Sequence, residues 1–337
     1  MSSIVPAIEA CGLSKNFHGT PAVDAVDLHV PAGRVFALLG TNGAGKTTTV
    51  RMLATLLRPD SGTARVFGHD VVREATAVRS LIGVTGQYAS VDEDLTAREN
   101  LMIFGRLVGS SRRRARIRAD ELLEEFGLAA VATRRVGHFS GGMRRRLDLA
   151  ASLITRPRLL FLDEPTTGLD PRTRAQMWQT VRDLVARGST VLLTTQYLDE
   201  ADELADHIAV MDRGRVVADG TADELKAGVG DMSVTLALAD AGDLPAAASV
   251  CAPFTTRGDV AVEDGVLVLP MDDLDPLAEM LTALRVREIT LTSVNVVRPT
   301  LDEVFFALTD GSGHTGSTPA GSMQAGSPRT EPTGVAI

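Results

Sequence analysis

Two stretches of this chain carry residues that could do chemistry on a nucleoside triphosphate. In Gly40-Thr41-Asn42-Gly43-Ala44-Gly45-Lys46-Thr47 the glycines let successive backbone N–H groups turn inward, Lys46 can reach the β- and γ-phosphates, and the Thr47 hydroxyl suits a Mg²⁺ ion. Such a loop has meaning only between a strand and a helix. Here the apolar run Val35 to Leu39 precedes it and a helical pattern, Thr48 to Leu57, follows, so a helix N-terminus adds its positive dipole end. Residues Gly40 to Thr48 are therefore expected to bind the triphosphate. The second stretch, Arg158 to Glu164, is a hydrophobic strand whose carboxyl end carries two adjacent carboxylates. Ligands of open α/β sheets gather at that end, so the pair should face the loop. Asp163 is placed to hold Mg²⁺ directly or through water, and Glu164 to orient and deprotonate an attacking water.

Three further positions draw attention. Phe139-Ser140-Gly141-Gly142 enters a helix, Met143 to Thr155, and makes a second anion nest of two glycines and a hydroxyl at a helix N-terminus. Gln87 follows a short strand, Leu81 to Thr85, and Gln196 follows a buried one, Thr190 to Thr195. Phe17 is either an aromatic platform for an adenine or a core or hairpin aromatic, and periodicity alone favours the latter.

The elements that must position these groups alternate in type. Residues 7–35 alternate apolar and polar positions around turns at Asn16 and His18-Gly19, which predicts antiparallel strands. Residues 96–126 change to a helical pattern, with Leu101, Phe104, Leu107 and Val108 on one face and Leu122, Leu123 and Phe126 on another. The basic run Ser111 to Arg118 is followed by Glu121, Glu124 and Glu125 at helical spacing, and reads as a salt-bridged helix surface. Pro171 fits the first position of a helix reaching Arg187, and Thr221-x-x-Glu224 is a capping box. The composition changes at Gly228 to Asp231, a domain boundary. Beyond it, residues 232–309 read as strand, helix, two strands around Asp264-Gly265, helix and strand, an order that resembles a ferredoxin-like βαββαβ unit. A last helix, Thr300 to Leu308, carries Leu301, Val304, Phe305 and Leu308 as a core or dimer stripe. Residues 310–337, rich in Gly, Ser, Thr and Pro, cannot offset the entropy of ordering and should be disordered.

Composition narrows the function. A net charge of −9 over 337 residues argues against wholesale nucleic-acid binding, which needs a basic surface. Cys11 and Cys251 have no metal-binding or redox spacing and fit a reducing compartment. Met1 to Glu9 has neither a basic start nor an apolar signal core. The uncharged stretch Leu244 to Thr256 is too short to span a bilayer, which takes about 20 apolar residues, so any membrane role is borrowed from a partner.

Taken in order, Gly40 to Thr47, Gln87, Phe139 to Gly142, Leu159 to Glu164, Leu169-Asp170 and Gln196 resemble the Walker A, Q-loop, signature, Walker B, D-loop and switch motifs of an ATP-binding-cassette (ABC) nucleotide-binding domain. Val84 to Asp92, FSGGMRRRLDLAA at 139–151, TTQYLDEA at 194–201 and LDEVFFAL at 301–308 further resemble the ATP-binding subunit of actinobacterial daunorubicin/doxorubicin-resistance exporters. The resemblance implies an α/β fold, a P-loop NTPase domain over 7–227 with a helical subdomain at roughly 88–138, and an added α+β accessory domain over 232–309.

It also implies ATP and Mg²⁺ as cofactors, and a homodimer closing head to tail over two ATP molecules beneath a separate multi-helix membrane permease, at the cytoplasmic face of a bacterial cell membrane. Lys46, Thr47 and Asp163 of one copy would hold the triphosphate and metal, while Ser140, Gly141 and Gly142 of the other cover the γ-phosphate. Gln87 would join the metal ligands and report the γ-phosphate to the permease, and Phe17 becomes the adenine platform. The implied activity is ATP hydrolysis driving efflux of an anthracycline-like drug. A lipid or glycolipid cargo is the alternative. A soluble cassette ATPase acting on ribosomes or DNA is opposed by the single cassette, the lack of long coiled-coil arms and the net charge.

Two departures from the general cassette pattern matter. Met143 replaces a common Gln at a position that mainly packs, and Gln196 stands where most cassettes carry His. Glutamine can hydrogen-bond a γ-phosphate but cannot gain a proton, which excludes a titrating switch. Gln196→His is expected to stay active in steady-state ATP hydrolysis. Loss of turnover with folding intact would assign Gln196 a role that His cannot take.

Overall fold

The computed structural model describes residues 5–86, 90–228, 232–255, 260–263, 265–271, 273–297 and 299–310. An antiparallel pair opens the chain, β1 (Ile8–Phe17) and β2 (Thr20–Val30), before β3 (Val35–Leu39), the glycine loop and α1 (Lys46–Leu53). The chain then returns to β1 through β4 (Ser61–Val66) and β5 (His69–Asp70), and α2 (Ala75–Leu81) leads into β6 (Ile82–Thr85). A helical arm follows, α3 (Ala97–Leu107) and α4 (Arg112–Glu125), ahead of α5 (Gly141–Ser152). Next come β7 (Leu159–Asp163), α6 (Pro171–Ala186), β8 (Thr190–Thr195), α7 (Leu198–Leu204), β9 (His207–Asp212), β10 (Arg215–Gly220) and α8 (Ala222–Ala227). The remainder is β11 (Met232–Leu238), α9 (Leu244–Cys251), β12 (Ala261–Glu263), β13 (Val266–Met271), α10 (Leu277–Val286), β14 (Leu291–Val297) and α11 (Leu301–Asp310).

Three sheets result, in the orders β2-β1-β4-β5, β10-β9-β3-β8-β7-β6 and β12-β13-β11-β14. The second is parallel apart from the β9–β10 pair, and β3, β7 and β8 are buried along their whole length. Alternation along β3 divides the core between two faces. Phe36 and Leu38 pack with Phe161, Leu192 and the antiparallel sheet through Ile8, Leu13 and Val26. Val35, Ala37 and Leu39 pack with Leu160, Leu162 and Leu193 and with the helical layer through Leu101, Leu122, Leu147 and Val181. This sandwich delivers the carboxyl ends of β3, β7 and β8 side by side.

The arm differs from expectation at one end. Leu101 is fully buried, but Leu107 and Val108 are 76% and 54% exposed. The cause is a close crossing one turn earlier: a Cβ on Gly105 would lie 2.9 Å from the Ala115 Cβ, so α3 and α4 touch there and the end of α3 runs past its cover. The basic run is a helix surface as expected, with Arg118 paired to Glu121 at 3.1 Å and Arg112, Arg113, Arg114 and Arg116 exposed.

In the third sheet α9 and α10 supply the apolar cover, Ala247, Cys251, Met280 and Leu284 meeting Val234, Leu236, Leu267 and Leu269. The strand expected over 288–294 begins later because α10 continues to Val286 and Glu288, at φ 60°, turns the chain. Residues 229–231, Asp264 and 311–337, on which the expected boundary, part of the hairpin turn and the disordered tail fall, lie outside the described residues.

Helix α11 does not stay with that sheet. It packs on α7 and α8, and Leu301 and Val304, 3% and 2% exposed, join the cluster that holds Leu204 and Leu225. Phe305 and Leu308 lie against the same cluster, so the stripe is core. Leu301→Ala should therefore cost about 2–5 kcal/mol of stability, as buried leucine truncations do, whereas Phe306→Ala, at a 62% exposed position, should cost less than about 1 kcal/mol. Urea unfolding followed by far-UV circular dichroism distinguishes them; equal small effects would mean that α11 is not docked.

Candidate functional site

The loop after β3 is held by backbone rather than side chains. Ala44 N–H bonds the Thr41 carbonyl at 3.2 Å, Gly214 N–H bonds the Ala44 carbonyl at 3.0 Å, and Asp24 N–H bonds the Gly214 carbonyl at 2.8 Å, so the β9–β10 turn and β2 clamp the loop from behind. Gly45 is required on two counts: its φ is 104°, and a Cβ there would stand 2.5 Å from the Ala22 carbonyl oxygen. Helix α1 begins immediately afterwards, with its first N–H groups directed at the loop.

Lys46 is only 4% exposed, and its ammonium donates to the carbonyls of Gly40 at 2.7 Å and Thr41 at 3.0 Å, 3.8 Å from Glu164 Oε1. Burial pulls its pKa below the ordinary lysine value, and the carboxylates of Glu164 and Asp163 oppose that pull. A cavity of about 390 Å³ opens over this group, bordered by Asn42 to Thr48, Glu164 and Phe17. Phe17 is not a core aromatic. It lies at the end of β1 beside the hairpin turn, 44% exposed, at the rim of the cavity.

Three hydroxyl and carboxylate groups converge beneath the cavity. Asp163 Oδ1 accepts from Thr47 Oγ1 at 3.0 Å and from Thr194 Oγ1 at 2.6 Å. Thr47 and Asp163 are hard oxygen donors of the kind Mg²⁺ takes alongside phosphate and water, so the residues fit that ion. Glu164 adopts φ 48°, a conformation that costs a non-glycine residue about 1–3 kcal/mol. It is held there by its own N–H, which reaches both the carbonyl and the hydroxyl of Thr194 at 3.1 Å, while Oε2 accepts from Thr167 Oγ1 at 3.3 Å. Gln196 is half-buried just past β8, whose last residue, Thr195, accepts from Gly40 N–H at 3.2 Å. Gln87 lies outside the described residues.

Ser140, Gly141 and Gly142 do not line the cavity over the phosphate loop. Ser140 is exposed and caps α5, accepting from Met143 N–H at 3.3 Å, while Phe139 is buried and anchors the turn. Gly141 lines a separate cleft of about 210 Å³ with Glu164, Thr167 and Gly168. The N-termini of α1 and α5 thus border separate clefts, with Glu164 on the lining of both.

Three residues that support the site escaped the sequence reading. Thr194 links Asp163 to Glu164, and its signal was a hydroxyl among the apolar residues of a buried strand. Glu200, fully buried on α7, accepts from Trp178 Nε1 at 3.1 Å, and burial raises its pKa. A carboxylate at an inward helical position, one residue before Ala201 and one turn before Leu204, was the available clue. Arg145, in a run of three arginines, reaches the carbonyls of Asp163, Glu164 and Pro165.

A family model described as ABC transporter matches residues 23–167. The daunorubicin resistance ATP-binding protein DrrA3 of Streptomyces coeruleorubidus is 55% identical, the match covering 90% of this chain and 96% of that protein. The Nod factor export ATP-binding protein I of Paraburkholderia xenovorans is 45% identical over 64% of this chain and 70% of its own length. Among solved structures, cbiO1 from Clostridium perfringens, part of the ABC transporter complex cbiONQ, superposes with a TM-score of 0.62 at 25% identity, over 66% of this chain and 91% of that one.

Thr194→Val removes the hydroxyl that orients Asp163 and accepts from Glu164. Outer partners of metal ligands are typically worth about 10–100-fold in metal affinity, so the Mg²⁺ concentration for half-maximal ATP hydrolysis should rise about tenfold. Metal-free ATP binding, measured by fluorescence titration, should change less than about twofold.

Proposed function

Because the chain belongs to the family of ABC transporter ATP-binding proteins, the subunits that hydrolyse ATP for transport, we propose that two copies of it close head to tail and power export through a separate membrane protein. One observation supports this: Ser140 to Gly142 border none of the cavity over the chain's own phosphate loop, while Gly141 lines a separate cleft, which leaves this helix N-terminus to cover the triphosphate of another copy. A single-site monomer has no use for it.

In each site the loop N–H groups and the α1 terminus hold the phosphates. Lys46 donates to two backbone carbonyls, bonds that the β- and γ-phosphate oxygens would take over. Thr47 and Asp163 would hold Mg²⁺, joined by Gln87, and the ion would supply neutralisation of the triphosphate charge. Glu164 accepts the proton of the attacking water while the partner's signature loop excludes bulk water. Gln196 hydrogen-bonds the γ-phosphate without changing charge. Phe17, at the cavity rim, stacks on the adenine.

Residues 7–227 form the ATP-binding domain, 232–309 an accessory α+β domain, and the chain works at the cytoplasmic face of the membrane. Among the described residues no helix is long and apolar enough to cross a bilayer. The cargo is an anthracycline-like drug, a choice supported by a daunorubicin resistance relative whose likeness covers 90% of the chain. A lipid or glycolipid is the second cargo. It is kept because a relative named for Nod factor export still shares 45% identity, so similar motors serve different exports.

The test is Glu164→Gln. ATP should still bind and drive a dimer visible by size-exclusion chromatography with light scattering, while hydrolysis falls at least about 100-fold for loss of the base. Extracted from native membranes in mild detergent with ATP, the variant should bring down a polytopic membrane protein. Normal hydrolysis would remove Glu164 as base, and recovery of only ribosomal proteins or DNA would sink transport.

A further inference from the structure

Arg145 lies on α5, the helix whose N-terminus is the Ser140 nest, yet its side chain points at the catalytic turn. It is 11% exposed, and its guanidinium donates from Nε to the Pro165 carbonyl at 2.9 Å, from Nη1 to Gly86 at 2.8 Å, and from Nη2 to Asp163 and Glu164 at 3.1 and 3.2 Å. Four backbone carbonyls from two strand ends thus share one buried, planar fork. Asp148, one turn further along α5 and 2% exposed, stands 3.7 Å from Nη1 and accepts from Ser90 N–H at 2.7 Å through its other oxygen. It partners the buried cation and fixes it to Ser90.

The fork meets the turn where it is strained. Glu164 holds φ 48°, with Thr194 taking its N–H and Arg145 its carbonyl, so the turn is gripped from the sheet on one side and from α5 on the other. Lysine could not replace that grip, since a single ammonium cannot span carbonyls on two segments in one plane. If α5 shifts, the peptide carrying Glu164 shifts with it.

We propose that Arg145 is a positioning residue that ties the signature helix to the same chain's Glu164, so that a signature loop seated on the partner's ATP sets the base at its own site. This rests on the head-to-tail dimer proposed above. ATP in one site then primes hydrolysis in the other through a single side chain.

Arg145→Met removes every donor and keeps an unbranched apolar stem. Steady-state kcat should fall about 10–100-fold while the ATP dissociation constant moves less than about twofold, a split that general misfolding would not give. Arg145→Lys should recover part of kcat. Placed in the Glu164→Gln background, Arg145→Met should leave ATP-driven dimerisation intact, because the link acts on the base and not on the nest. A kcat within about twofold of wild type in both single variants, or loss of dimerisation in the double variant, would overturn the proposal. If Arg145→Met fails to fold, Arg145→Lys carries the same kcat-against-affinity comparison. Failure of Glu164→Gln alone to dimerise would instead overturn the head-to-tail arrangement, and the link with it.

Discussion

The site depends on the register of three adjacent parallel strands. Leu39 of β3 pairs with Thr195 of β8, and Asp163 of β7 pairs with Thr194 of β8, so the glycine loop, the two carboxylates and Gln196 leave the sheet at one level. A slip by one residue would turn the Asp163 and Thr194 side chains to opposite faces and break the bond between them. Fully buried strands resist such a slip, because every apolar residue on them would have to find new neighbours. The loop backbone, the Lys46 position and the Asp163–Thr47 contact all inherit their geometry from this alignment.

Electrostatics works on top of it. One buried ammonium, Lys46, faces two carboxylates, and one buried guanidinium, Arg145, is shared among four carbonyls and Asp148. Burying a charge is costly unless it is paired or satisfied by hydrogen bonds. Here the cations are answered mainly by backbone oxygens, which carry no protons to lose. The arrangement therefore leaves the Asp163 and Glu164 carboxylates without a direct hydrogen bond from either cation.

What the sequence revealed divides along the same line. Features written in contiguous residues were legible: the glycine loop between strand and helix, the Asp163-Glu164 strand end, Pro171 opening a helix, and the Thr221–Glu224 capping box, whose two reciprocal bonds are present. Features decided by distant packing were not. Arg145 sits between Arg144 and Arg146 with nothing in the local pattern to set it apart, and only the position of the β6 and β7 ends shows that it points inward. Leu107 and Val108 matched an apolar stripe, yet the crossing at Gly105 leaves them outside. Phe17 fitted the hairpin pattern, while its place at the cavity rim follows from how far the hairpin reaches toward the loop. Helix α11 followed the third sheet in sequence and packs elsewhere.

That last feature changes what kind of appendage the third sheet is. The chain leaves the ATP-binding part after α8 and comes back to it with α11, so the intervening βαββαβ segment is moored at both ends rather than trailing from one. A pendant module samples a wide cone of orientations; a moored one rides with the body that holds it. Whatever surface the third sheet presents is therefore tied through α11 to α7, the helix that begins just beyond Gln196. The segment behaves as a fixed handle on the motor.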